Sequence, residues 1–340
     1  MKGMGQYIIT RLLLTPVTIL VLLTFVFLIL RVIPGDPVEA LLGGRSVPPE
    51  VEARHRAALG LDKPIYVQYW DYLSSILHGD FGRSLIDSQP VTTDIIQRFP
   101  TTLELAIFSI LIATFFGLGS GVIAGRRADR LADHAIRFFN IGIFATPIFW
   151  LGLMMQLVFG VWLHWFPVTD QLDILHKITF HADITGLYTV DSLIKGNLTI
   201  FTDALRHLVM PSLTLGIILS GFLGRITRVN LMETLDQDYI RTARSKGLSE
   251  RNVVYKHALR NAFIPIMTVL GLQFAILLGG AVLTESVFNW QGLGHYLLDA
   301  ITKRDYVAIQ GTVVFIALFI SIVNFLTDLT YSLIDPRVKY

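Results

Sequence analysis

The 340-residue chain contains no cysteine. That absence excludes disulfides, thiol nucleophiles and cysteine-based metal sites, and it leaves the redox compartment unreadable. Charge is also scarce: Asp, Glu, Lys and Arg make up 16% of the residues, where a soluble domain carries about 25%. The net charge is only +2, so a nucleic-acid partner has no electrostatic support. No GxSxG or HExxH pattern is present, and no carboxylate pair has a plausible partner. The glycine-rich phosphate loop GxxxxGK followed by Ser or Thr is missing too, so the chain is not expected to hydrolyse ATP alone. His55, His78, His164, His176 and His181 are scattered without ligand spacing, and no metal is assigned.

What the chain does have is apolar length. Hydrophobic residues make up 53%, mean hydropathy is +0.58, and the charges fall in clusters between long uncharged runs. Six segments reach the about 20 residues that a bilayer requires: roughly 9–32, 102–125, 135–163, 207–229, 262–285 and 308–332. The expected fold class is therefore an all-α integral membrane protein with about six transmembrane helices. The first run, Leu12 to Leu30, exceeds the about 7–15 residues of a signal-peptide core and leads into "RVIPGDP" with no small-x-small site, so it reads as a retained span. Prolines at 147, 211 and 265 are tolerable where neighbouring helices satisfy the freed carbonyls.

Basic flanks set the orientation. Lys2 and Arg11, then Arg126, Arg127 and Arg130, then the run from 238 to 261, then Arg337 and Lys339 collect on one side. That side is expected to be the cytoplasm, with both termini in it. The outward loops are about 34–101, 164–206 and 286–307. The first should hold two short helices. One runs from Ser46 and its prolines to Gly60; the other is "KPIYVQYWDYLSSILHG", which places Tyr66, Tyr69, Trp70, Leu73 and Leu77 at helical spacing. This stripe either packs on the outer ends of the spans or offers an external partner a docking surface. "HGDFGRS" reads as a turn.

Three spans carry small residues at every fourth position: Gly117, Gly121, Gly125; Gly216, Ser220, Gly224; and Gly271, Ala275, Gly279. Such ridges let membrane helices approach closely. Of the acids in or near spans, Glu104, Glu285 and Asp328 read as interfacial. An acid at the bilayer centre would cost about 2.5–3.5 kcal/mol, and no clear example argues for an ion-driven carrier.

The most charged stretch is "DYIRTARSKGLSERNVVYKHALRN", 238–261. Asp236 and Asp238 precede a helix-forming run, Gly247 fits a left-handed position after the helix, and Ser249 with Glu250 fits the start of a second helix. Ile240, Ala243 and Gly247 share one face of the first helix; Val254, His257, Ala258 and Asn261 share one face of the second. A loop built to dock in a groove explains small residues in register among basic ones.

This stretch resembles the cytoplasmic coupling loop, or EAA loop, of ABC-importer permeases of the dipeptide/oligopeptide/nickel branch, whose members read close to "DYIRTARAKGL…HALRNA…P". Here the chain reads "DYIRTARSKGL" and then "HALRNAFIPI". "FLILRVIPGDP", "LGLDKP", "GDFGRS", "TPIFW", "LTESVFNWQGLG", "KRDY" at 303–306 and "DPRV" extend the resemblance along nearly the whole chain. It implies a type I importer permease (MetI-like) fold: an N-terminal segment and first span at 1–33, an extracytoplasmic loop at 34–101, and a core permease domain of five spans at 102–340 with a coupling loop at 230–261. It also implies four partners besides the lipid bilayer and a peptide substrate, namely a second homologous permease, two ATPase subunits and an extracytoplasmic solute-binding protein. ATP and Mg would be bound by the ATPases, with no cofactor in this chain. The coupling residues by this resemblance are Asp238, Tyr239, Arg241, Thr242, Ala243, Arg244, Lys246, Gly247, His257, Arg260 and Asn261. Arg241 stands where the wider family has glutamate, so a salt bridge built on that acid is not expected. The resulting expectation is the permease of an ATP-driven peptide importer in the cell membrane. Nickel chelates, glutathione or another small solute are the alternative cargo, and a stand-alone channel or ion-coupled carrier is the alternative class.

Overall fold

The computed structural model describes residues 2–32, 48–58, 60–279 and 281–334. The expected helix start at Ser46, most of "VIPGDP" and the closing "DPRV" lie outside the described residues, as does the side chain of Asp328. Among the described residues the elements are helices joined by turns, with a single bridge between Arg83 and Pro90.

We number the helices in chain order. α1 is Lys2–Val32, α2 Pro49–Ala58, α3 Ile65–Leu77 and α4 Val91–Arg126. α5 is Leu131–Ala145, and α6 is Ile148–Met155, continued as a π-helical segment Gln156–Trp162. α7 is Ile174–Thr179, α8 Tyr188–Ile194, α9 Leu198–Leu235 and α10 Asp238–Ser245. α11 is Glu250–Leu278 and includes a π segment at Val253–Ala258. α12 is Val282–Val287, α13 Leu293–Thr302 and α14 Tyr306–Ile334.

Four helices are long and apolar enough to cross a membrane on their own: α4, α9, α11 and α14. The third expected span is broken. α5 and α6 meet at 98°, because Pro147 has no N–H to continue the ladder and holds Thr146 in extended backbone (φ −78°, ψ 127°). α1 carries the first expected span, with Leu13–Ile29 as its apolar part. Two other expectations need correcting. The fifth span does not run to 285: α11 stops at Leu278, and Glu285 belongs to the separate α12. The second and fourth spans start early, at Val91 and Leu198, since Pro100 and Pro211 sit inside continuous helix.

The centre of the bundle is the α4–α9 contact, the most extensive in the molecule. Its closeness comes from the glycines. A methyl on Gly117 would lie 2.8 Å from Leu223 Cβ, one on Gly125 3.1 Å from Leu231, and one on Gly224 2.7 Å from Ser120 Oγ. Gly121 and Gly216 are filled as tightly by Thr227 and Ile112, and Ser220 is buried in the same seam. The third ridge, Gly271, Ala275 and Gly279, packs on α14 against Thr327 and Ile320. Lipid is as apolar as the side chains it would replace, so close backbone approach is what holds such helices together.

Candidate functional site

The coupling stretch folds as two helices around a glycine turn. Asp238 lies in the first turn of α10, where an acid favours the positive end of the helix. Gly247 follows α10 at φ +75°; its N–H donates to the Arg244 carbonyl at 2.9 Å and the Leu248 N–H to Ala243 at 3.4 Å. A side chain here would have open space around it but the wrong backbone. Ser249 Oγ then accepts from the Asn252 N–H and opens α11.

Three side-chain contacts brace the turn. Arg244 forks onto Glu250, with Nη2 to Oε1 at 2.8 Å and Nε to Oε2 at 3.2 Å. Asn261 Nδ2 donates to Tyr239 Oη at 2.7 Å. The Arg126 guanidinium sits 5.6 Å from the Tyr255 ring, linking the preceding basic loop to α11. The apolar face is turned inward: Ile240 and Ala243 join Val122, Leu231, Val253, Val254, Ala258 and Ala262 in one buried cluster.

That corrects the expectation that the small face meets a partner. Apolar residues at helical spacing find their cover within the chain, and Ala243 is spent there. Val254 and Ala258 go the same way, while His257 is half-buried and Asn261 stays exposed. The outward surface is polar: Asp238, Arg241, Thr242, Lys246, Gly247 and Arg260. Arg241 has only an exposed contact to Asp238 at 3.5 Å, a geometry worth little in water. Arg244 and Asn261 are occupied internally.

Behind the loop stands α9, whose 38 residues make a rod of roughly 57 Å. It ends two residues before α10. Near its end, Arg228 forks onto Asp133 of α5, with Nε to Oδ1 at 2.6 Å and Nη2 to Oδ2 at 2.7 Å. Asp133 is fully buried and also accepts the Asp129 N–H at 2.9 Å. The sequence reading missed this pair; its signal was an acid just after the Arg126–Arg130 cluster together with Arg225 and Arg228 inside a span.

Glu104 and Glu285 are not surface residues. Glu104 Oε1 accepts from the Thr189 N–H at 2.8 Å and its hydroxyl at 2.6 Å, fastening α8 to α4. Glu285 accepts from Thr102 Oγ1 at 2.7 Å and the His295 N–H at 2.8 Å. Gly292 is required beside it, since a methyl there would lie 2.6 Å from the Glu285 oxygens. Burial pushes the Glu285 carboxyl up to about 7, against the pull of the Thr102 hydroxyl and the backbone N–H groups. On α9, Asp203 holds His176 Nδ1 at 2.6 Å and His207 Nδ1 at 3.2 Å. Among the described residues no three His, Asp or Glu side chains are grouped to hold a metal ion.

A bundle of apolar spans, a braced basic loop outside it and the buried acids Glu104, Asp133 and Glu285 as internal fasteners fit a membrane transport subunit. Known proteins give the family. The model for "Binding-protein-dependent transport system inner membrane component" matches residues 117–340, and the corresponding N-terminal model matches residues 4–106. The chain belongs to this family. It is similar to the di/tripeptide transport system permease protein DppB of Pseudomonas aeruginosa, 44% identical over 92% of this chain and 93% of that protein. It is 40% identical to the dipeptide transport system permease protein DppB of Escherichia coli K12, over 99% of both. It is also 37% identical to the glutathione transport system permease protein GsiC of Salmonella typhimurium, over 99% of this chain and all of that one.

Proposed function

We propose that this chain is the membrane permease of an ATP-driven dipeptide importer and forms part of the translocation path. The observation that carries the reading is end-to-end similarity to dipeptide permeases at 40–44% identity. The glutathione permease relative supports a second reading, a short γ-linked peptide as cargo.

In this reading the chain pairs with a second, homologous permease. Two ATPase subunits sit on the cytoplasmic side and bind ATP and Mg, and a solute-binding protein delivers cargo outside. Both termini face the cytoplasm. The loop 236–261 enters a groove on one ATPase, and the exposed Arg241, Thr242, Lys246, Gly247 and Arg260 make the contact. The inward cluster around Ile240 and Ala243 supports this arrangement by making the loop one body with α4 and α11, so that a push on α10 moves spans instead of bending a tether. ATP binding brings the ATPases together, the coupling helices follow, and the cavity between permeases turns outward; hydrolysis resets it. The Asp133–Arg228 fork carries the motion from α9 into the bent α5–α6 pair.

The test is uptake by the complete complex in proteoliposomes, with labelled dipeptide, glutathione and nickel chelate in competition. ATP-dependent dipeptide uptake is expected, with no hydrolysis by the purified chain alone. Uptake of glutathione alone would transfer the assignment to the second reading, and ATP-independent flux would defeat both.

A further inference from the structure

α3 presents three different faces. Tyr69 and Tyr72 point at α1: Tyr69 Oη lies 2.6 Å from Thr24 Oγ1, and Tyr72 Oη donates to the Leu23 carbonyl at 3.3 Å. Both rings pack on Phe27, with centroids at 5.2 and 5.4 Å. Gln68, Asp71 and Ser75 line a cavity of about 230 Å³ shared with Gln310 of α14. The third face, Tyr66, Trp70 and Leu77, is bare; the three side chains are 71%, 72% and 85% exposed. At 100° per residue these three fall within about 40° of one another and opposite Asp71 and Ser75.

The contacts to α1 fix where this face sits. Leu23, Thr24 and Phe27 belong to the apolar stretch Leu13–Ile29. In the sequence the apolar run continues to Leu30, before Arg31, so Thr24 lies six residues from its end, roughly 9 Å along the helix. With α1 taken as a span, these contacts seat α3 beside it near the apolar boundary, the level of about 5–10 Å at which interfacial helices lodge. The surface of α1 next to it is of the same kind, with Leu20, Val21, Phe25, Leu28 and Ile29 all exposed. A protein docking from the water could not reach Trp70 at this depth without entering lipid.

We propose that α3 is an interfacial helix whose Tyr66–Trp70–Leu77 face is solvated by phospholipid, in the leaflet that holds the C-terminal end of α1. Tyr and Trp suit this level because a ring is apolar over its body and polar at one edge. The helix keeps Asp71 and Ser75 toward water and leaves the external loop only its other segments to offer a protein partner. The proposal holds whether or not the cargo is a dipeptide, because it concerns the chain's seat in the bilayer.

The absence of cysteine makes the test direct. Trp70→Cys, Tyr66→Cys and Leu77→Cys are made singly in the full chain, assembled with its partners in phospholipid vesicles, and nitroxide-labelled; Asp62→Cys is the water-exposed reference. Relaxation by oxygen and by a water-soluble nickel chelate is measured at each site. The proposal expects the three labels to be relaxed several-fold more by oxygen than by the chelate, at a depth of roughly 5–10 Å, with the order reversed at residue 62. Relaxation by the chelate at residue 70 equal to that at 62 would overturn it by showing a face in water. Shielding from both reagents would overturn it by showing a face covered by protein. Agreement of the label at 77, where Trp70 is intact, separates a local effect of losing the indole from the position of the helix.

Discussion

The basic loop at 238–261 and α3 look alike in the sequence: each offers a short amphipathic helix outside the main spans, with aromatic and charged residues interleaved. In the structure they are inverted with respect to each other. The loop turns Ile240 and Ala243 inward and shows Arg241, Thr242 and Lys246. α3 instead spends its tyrosine hydroxyls on α1 and shows bare rings. The difference teaches that helical spacing says which residues share a face but not which face a partner takes. The chemistry left exposed bears on that: charge and hydroxyls suit the proposed protein groove, rings and branched chains the proposed lipid.

Four substitutions sharpen this comparison, from the largest expected effect to the smallest. Gly247→Asp should abolish uptake while the protein still inserts, since an aspartate at φ +75° opposes the turn that sets α10 against α11. Uptake assays with quantified membrane levels decide it, and normal uptake would mean that the turn is not needed. The same mutation should leave the lipid exposure of α3 unchanged.

Arg228→Ala removes the forked partner of the buried Asp133 and leaves it Arg137 at 3.6 Å and the Asp129 N–H, so the loss falls at the low end of the about 3–5 kcal/mol for breaking a buried pair. A lowered melting temperature in detergent should be partly restored by Arg228→Lys and not by a distant second change. At the other end of the bundle, Glu285 provides a pH handle. Its carboxyl binds a proton more tightly folded than unfolded, being raised from 4.5 to about 7. Stability from this group is therefore full below pH 4.5 and is lost as pH rises toward 7, by about 3 kcal/mol at most. Melting curves across that window should show the decline in the native chain and not in Glu285→Gln. Arg244→Ala should matter least: its pairing with Glu250 is largely exposed, and such pairs contribute about 0–1 kcal/mol.

Much of this was legible from the residues. The apolar runs marked the long helices, though not the break at Pro147, which the sequence lets pass as tolerable inside one span, and Gly247 with Ser249 marked the turn before α11. The small-residue ridges lie in close-packed seams, and which ridge meets which cannot be deduced from spacing: Gly117 and Gly224 are over a hundred residues apart and touch the same seam. The acids were misread for a related reason. Hydropathy sees Glu104 and Glu285 as charges near the ends of runs and gives Asp133 no role, whereas their partners Thr189, Thr102 and Arg228 come from distant segments that only the folded bundle brings within hydrogen-bond reach. The inward turn of Ala243 was hidden in the same way, because its cover is Val122 and Leu231 from two other helices.

The most direct measurement is site-specific photo-crosslinking from the loop in the assembled transporter, with a benzophenone side chain replacing Thr242 or Lys246 in turn and Leu77 as the remote position. Adducts with an ATPase subunit from 242 and 246, strengthened by ATP and absent from 77, are the result this account predicts. Labelling of lipid or solvent alone from 242 and 246, in complexes that still import peptide, would contradict it.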